Sequence, residues 1–296
     1  MFSVKGQEIT ERHSIVVCKV ATINRIIPFS NVDGYGNRMA VFFQGCPLSC
    51  KFCHNPETIN HCVHCGKCVS SCPVGALSVV DGKVVWNKAL CVKCDTCLKV
   101  CPNLSTPKTM KYTLDELWEE VMEYRPFIRG ITTSGGECMK HADFIESLFE
   151  RAVADGLSCL IDSNGYYDFR NYPRLLELSE GVMLDIKMWN NELHKEIMGS
   201  SNEVILSNLS FLSSIGKLNE VRMLMYPGFK EFNKETIENV LKVVEPTQQI
   251  KLIRYRPYGV REEGLQYFGN VTLSSEEGNE YVEFAKSLGA KNVILT

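Results

Sequence analysis

Eleven of the fourteen cysteines fall between residues 46 and 101, in three short runs. The first run is Cys46-x3-Cys50-x2-Cys53, and it follows an apolar stretch, Met39 to Phe43, that reads as a buried strand closed by Gly45. Three thiolates held in one loop make a soft-metal site, suited to iron–sulfur or zinc. A four-iron cluster normally takes four cysteines, so three leave one iron without a protein ligand. An open metal position is where a small molecule is bound and activated.

The other two runs form an internal repeat: Cys62-x2-Cys65-x2-Cys68-x3-Cys72-Pro73, then Cys91-x2-Cys94-x2-Cys97-x3-Cys101-Pro102. Between them, Val79 to Val85 reads as a hairpin turning at Asp81-Gly82. The repeat matches the pattern of a bacterial two-cluster ferredoxin, in which the fourth cysteine of each run crosses to the other cluster. That places Cys62, Cys65, Cys68 and Cys101 on one cluster, and Cys91, Cys94, Cys97 and Cys72 on the other. Residues 60–105 therefore read as an insert, with 1–59 and 106–296 forming the main domain. The insert carries Lys67, Lys83, Lys88, Lys93 and Lys99 against Asp81 and Asp95, a surface suited to offsetting cluster charge or docking an acidic donor. Cys18, Cys138 and Cys159 lie in or beside expected strands and read as packing residues.

The N-terminal stretch has no apolar h-region, and no apolar run is long enough to span a bilayer, so the chain reads as cytoplasmic with no membrane partner. Disulfides are rare there, which leaves metal or redox chemistry for the thiols. A net charge of -3 gives no general attraction to nucleic acid.

Outside the insert, helices and strands alternate. A strand is expected over 15–27 near the sheet edge, and strands ending near 43, 133, 161, 184, 225 and 255. Helices are expected from the capping box Thr113-Leu-Asp-Glu116, over Phe144–Val153 and Leu175–Ser179, near 192–198 and 203–214, over Thr236–Val244, and from a cap at Ser274. Asn292 to Leu295 reads as a last strand. Repeating βα units imply a parallel sheet covered by helices, with sites at the strand ends. The expected fold is a partial (β/α)6 barrel.

The run Phe43-x2-Cys46-x3-Cys50-x2-Cys53-His54-Asn55-Pro56, with Gly45 before its first cysteine, resembles the radical S-adenosylmethionine (SAM) enzymes, specifically the activases of glycyl radical enzymes. The resemblance covers nearly the whole chain, and among activases with a ferredoxin-like insert it is similar to the YjjW-type subgroup. It implies a radical SAM partial barrel with three [4Fe–4S] clusters. Cys46, Cys50 and Cys53 hold the cluster whose open iron is chelated by the methionine part of SAM. Reductive cleavage of SAM then yields a 5′-deoxyadenosyl radical that takes hydrogen from a glycine of a glycyl radical enzyme. The implied electron donor is a flavodoxin or ferredoxin.

The resemblance also implies SAM contacts. Gly135-Gly136-Glu137 looks like the family's G-G-E, and Asp185-Ile186-Lys187 like its D-L-K, with the lysine meeting the SAM carboxylate. Asp162 and Asn164, in Asp162-Ser163-Asn164-Gly165, look like its D-T-N-G. Phe52 and His54 flank Cys53 and fall beside the adenine in the family. Arg256 stands where characterised activases have a histidine, and Tyr35 where the family has the proline of D-G-P-G. Two rival readings fit less well: Cys50-x-x-Cys53-His54 formally matches haem attachment but leaves Cys46 unexplained, and zinc ribbons separate their cysteine pairs by longer loops. Beyond activase chemistry, the alternatives are a radical SAM enzyme acting on another peptide or small molecule, and a multi-cluster electron-transfer protein.

Overall fold

A computed structural model describes residues 20–296. Cys18 and the first part of the strand expected over 15–27 lie outside the described residues. The elements begin β1 (Val20–Ser30), β2 (Arg38–Phe43), β3 (Leu77–Val80), β4 (Lys83–Trp86), α1 (Thr96–Lys99), β5 (Met110–Thr113), α2 (Leu114–Tyr124) and β6 (Gly130–Gly135). They continue α3 (Ala142–Ala154), β7 (Ser158–Ser163), α4 (Pro173–Leu178), β8 (Gly181–Ile186), α5 (Asn191–Met198) and α6 (Glu203–Ser214). The chain then runs β9 (Leu218–Met225), α7 (Lys230–Leu241), β10 (Ile250–Arg254), α8 (Glu262–Phe268), α9 (Ser275–Ser287) and β11 (Val293–Leu295).

Nine strands form one sheet in the order β11-β10-β9-β8-β7-β6-β2-β1-β5. The six expected strands are β2 and β6 to β10, and each pairs with its neighbour in parallel. β11 continues the parallel set, while β1 and β5 extend the other edge antiparallel. The sheet's ends are not paired with each other, so this is an open, partial barrel. β5 and α8 were not expected. β5 is a four-residue edge strand whose half-exposed Met-Lys-Tyr-Thr carries little periodic signal.

The strands sort their side chains by a period of two. Met39, Val41, Ile131, Ile161, Val182, Leu184, Val221 and Met223 face the helices in one large core. The alternate positions face the barrel interior, and there the sequence turns polar: Ser134, Asp162, Asp185 and Arg222 line a cavity. α2 starts with the capping box: Thr113 Oγ1 accepts from the Glu116 N–H, and Glu116 Oε2 accepts from the Thr113 N–H at 2.7 Å. β3 and β4 form the separate expected hairpin, with Asp81 at φ 48° and Gly82 at φ 72°, the left-handed pair of a tight hairpin turn. Its small core is Cys68, Leu77, Val84 and Cys97.

Candidate active site

The first cysteine loop leaves β2 through Gln44, which is fully buried. Its side chain accepts from Asn24 and donates to the carbonyls of Glu57 and Asn60 at 2.8 and 2.6 Å. Gly45 N bonds to Thr58 O, and Cys46 N to Ile59 O. The far side of the loop is held by α5, where Ser49 N and Lys51 N bond to Met198 O and Ile197 O, and by Arg261, which donates to the carbonyls of Ser49 and Cys50. A second core of Leu48, Phe52, Tyr226, Tyr255 and Phe268 packs over it, with Tyr226 and Phe268 stacked at 5.0 Å. These bonds fix the loop through the polypeptide's own groups.

Cys46, Cys50 and Cys53 line a cavity of about 300 Å³ inside the barrel, together with Phe52, His54, Gly135, Gly136, Asp162, Asn164, Asp185 and Lys187. Asn164 Nδ2 lies 3.5 Å from Cys46 Sγ. Lys187 pairs with Asp185 at 2.7 Å and lies over the Phe52 ring. Burial opposes the lysine's charge, but Asp185 and the Cys50 and Cys46 thiols together outweigh it and raise the pKa. His54 Nε2 donates to the Arg256 carbonyl, 2.8 Å away, and burial lowers the pKa of the ring.

Three expected contacts are placed differently. Glu137 lies behind the cavity wall, 1% exposed, and its carboxylate accepts from Met139 N, Ser163 Oγ and Asn164 N within 3.0 Å. Burial pushes its pKa up to about 7 against those three donors. The carboxylate is thus spent on shaping the loop that carries Asn164. Ile186 turns its side chain into the helix-facing core, as its place between Asp185 and Lys187 on a strand requires. Arg256 is exposed and meets the site through its backbone carbonyl on His54.

Sequence reasoning missed Arg222. Its guanidinium pairs with Asp162 at 2.9 Å and with Glu220 at 2.6 Å, under the cavity. Lys251 also pairs with Glu220, at 2.9 Å. The available signal was Glu220-Val-Arg222, charges at alternate positions of a buried strand. The glycines have a conformational reason. Gly135 sits at φ 128°, and a Cβ there would lie 2.3 Å from the Phe43 backbone. Gly135→Ala is therefore expected to destabilise by about 2 kcal/mol or more, read by chemical unfolding, because a left-handed backbone and a blocked site both oppose it.

The insert cysteines gather in two groups. Cys62, Cys65, Cys68 and Cys101 line one small cavity, and Cys72, Cys91, Cys94 and Cys97 line another. The repeat shows in the backbone as well: His64 and Lys93, each just before the second cysteine of its run, both have φ 56°, and Gly66 and Asp95, just after it, have φ 77° and 57°. Such left-handed turns aim successive N–H groups at an anion.

Cys138 and Cys159 are fully buried in the core. Among the described residues, no three ligating side chains converge on a single ion. A cluster with eight atoms at its centre holds its thiolates wider apart than one ion does.

A family model described as the radical SAM superfamily matches residues 40–244. A putative glycyl-radical enzyme activating enzyme of Haemophilus influenzae is 30% identical over 299 residues, covering 92% of this chain and 95% of that protein. This chain belongs to the glycyl-radical enzyme activating enzymes of the radical SAM superfamily. The activase is also 30% identical to the choline trimethylamine-lyase activating enzyme of Oleidesulfovibrio alaskensis, over 87% of this chain and 92% of the relative. Its fold is similar to that of QueE from Escherichia coli, with a TM-score of 0.55 at 14% identity and 94% of each chain covered.

The family's cofactors are SAM and a [4Fe–4S] cluster, and the residues present fit them. Burial pushes Cys46 and Cys50 up to about 12 and raises Cys53 as well. Such thiols ionise only beside a cationic metal centre, which is the charge a cluster provides. The cavity beside them offers a lysine, two carboxylates and close backbone at Gly135-Gly136 for a zwitterionic ligand. The second insert group carries its own sign. The Lys93 backbone N–H and then the Trp86 indole lower the pKa of the Cys91 thiol.

Proposed function

We propose that this activase installs a radical on a glycine α-carbon of a partner enzyme, with SAM bound in the barrel cavity. The observation that carries this reading is the meeting of three buried cysteines with Gly135, Gly136, Asp162, Asn164, Asp185 and Lys187 around one cavity. When bound, the cluster supplies the electron that splits SAM into methionine and a 5′-deoxyadenosyl radical. The chain's own residues bind and orient. Cys46, Cys50 and Cys53 hold three irons and leave the fourth for SAM. Lys187, steadied by Asp185, offers a point charge to the SAM carboxylate. Phe52 and His54 would flank the adenine, Asp162 would accept from the ribose hydroxyls, and Asn164 would hold the ribose or carboxylate. Hydrogen abstraction needs no acid or base, so the protein's remaining task is to exclude water.

The reading extends to residues 60–105 as a ferredoxin-like insert with two further [4Fe–4S] clusters, as in the YjjW-type subgroup. Its support is the two gathered groups of four cysteines and their matching left-handed turns. The insert relays electrons from a flavodoxin or ferredoxin. Cys65→Ala and Cys94→Ala are expected to slow donor-driven turnover while dithionite-driven turnover persists; normal donor-driven rates in both would leave the insert a structural role only. A cytoplasmic location fits oxygen-sensitive clusters, and no helix among the described residues is long and apolar enough to cross a membrane.

The test of the glycyl reading is paramagnetic resonance after anaerobic mixing with SAM, reductant and a candidate glycyl radical enzyme. A glycyl doublet on that enzyme is expected. SAM cleavage with no doublet on any candidate would favour a small-molecule or other peptide substrate.

A further inference from the structure

A cleft of about 460 Å³ lies between the insert and the β1–β5 edge of the barrel. Cys91 and Trp86 form its insert wall, and Ile23, Met110 and Tyr112 its barrel wall. Arg25, Lys88 and Lys93 stand exposed on its lining. Two of the acids there are already engaged: Asp95 pairs with Lys108 at 2.6 Å, and Glu120 accepts from Tyr112 Oη at 2.7 Å. The third, Glu57, is half-buried, and burial raises its pKa. Beside the cleft, Leu90 and Val92 are 51% and 61% exposed, and the Cys94 sulfur reaches the surface. The combination is a concave, cation-rimmed, partly apolar surface with a cluster ligand in its wall.

The two insert groups differ in how the chain joins them to the first cysteine loop. Cys62 follows Ile59, whose carbonyl accepts from Cys46 N, by three residues. Three residues of chain reach at most about 11 Å. Asn60 ties this junction to the Cys101 run, through its N–H on Leu104 O and its side chain on Asn103 O at 3.0 Å. By this tie we label the group of Cys62, Cys65, Cys68 and Cys101 the inner one, and the group with Cys91 in the cleft wall the outer one.

We propose that the cleft docks an acidic one-electron carrier, which delivers its electron to the outer group of Cys72, Cys91, Cys94 and Cys97. The inference rests on the two-cluster reading of the insert. The carrier is oxidised by one electron and the outer cluster reduced by one; no bond forms or breaks and no proton moves. Opposed charges across such a surface set the encounter rate and make it fall with salt.

The test uses the full-length protein, purified anaerobically with its clusters, and an acidic flavodoxin in its fully reduced form. Stopped-flow bleaching of the cluster absorbance at low salt reads the rate. The double variant Lys88→Glu with Lys93→Glu is expected to slow bleaching at least tenfold and to flatten its salt dependence. Lys88→Glu alone, outside the cysteine run, is expected to slow it at least threefold. Lys67→Glu with Lys83→Glu, on the inner group's side, should stay within twofold of the parent. Dithionite needs no docking, so equal bleaching by it in all variants shows the clusters intact. An unchanged rate in the Lys88 and Lys93 variants, or the main loss in the Lys67 and Lys83 variant, overturns the proposal. Parent protein with only about four irons instead of about twelve overturns the two-cluster reading itself.

Discussion

Cys53→Ala protein is expected to hold about eight irons instead of about twelve, with no SAM cleavage left. The cysteine contributes one of three thiolates in a loop already fixed by Gln44, α5 and Arg261. Its loss leaves two ligands, too few to retain a cluster against chelation. On the two-cluster reading, the insert draws on separate cysteines in separate cavities, so its clusters are expected to remain. Iron and sulfide content, with the paramagnetic signal of the dithionite-reduced protein, checks both halves. Full iron with normal SAM cleavage in this variant would remove the three-cysteine site from the chemistry.

The second large effect concerns stability. Arg222→Met should cost about 3–5 kcal/mol in urea unfolding, because it removes a partner from two buried carboxylates and leaves one of them without a cation. Asp162 and Glu220 are 14% and 11% exposed at their side chains, and both bond to this guanidinium. Lys251 keeps a partner on Glu220, so most of the loss falls on Asp162, which retains only the Ser134 hydroxyl among its side-chain partners. Adding Asp162→Asn to Arg222→Met is expected to recover part of the stability. If it recovers nothing, the network is not what holds the barrel floor.

Much of this was legible in the sequence because the informative features are local. Cysteine spacing is read within a dozen residues. The six parallel strands were visible as apolar runs ending in polar or glycine-rich turns. Asp81-Gly82 announced its hairpin, and Thr113 with Glu116 its helix start. What stayed hidden depends on which way a side chain points. Glu137 sits in the expected motif, yet its carboxylate turns back onto Ser163 and Asn164. Ile186 shares a motif with Asp185 and Lys187 but occupies the opposite face of the strand. Arg222 has no motif, and its role exists only because β7 and β9 lie on either side of β8. The lid of Tyr226 and Phe268 joins residues far apart in sequence, and helix α8 is short, with Gly264 placed so that it can approach Lys51 O. A single chain gives no signal for such contacts.

The central claim is that the iron site of Cys46, Cys50 and Cys53 keeps one position for SAM. Anaerobic protein with its full iron, incubated with SAM and dithionite, tests it most directly. The predicted result is 5′-deoxyadenosine and methionine in equal amounts, with the reduced-cluster resonance shifted on SAM addition. Fully loaded, fully reduced protein whose resonance ignores SAM and which forms no 5′-deoxyadenosine would contradict it.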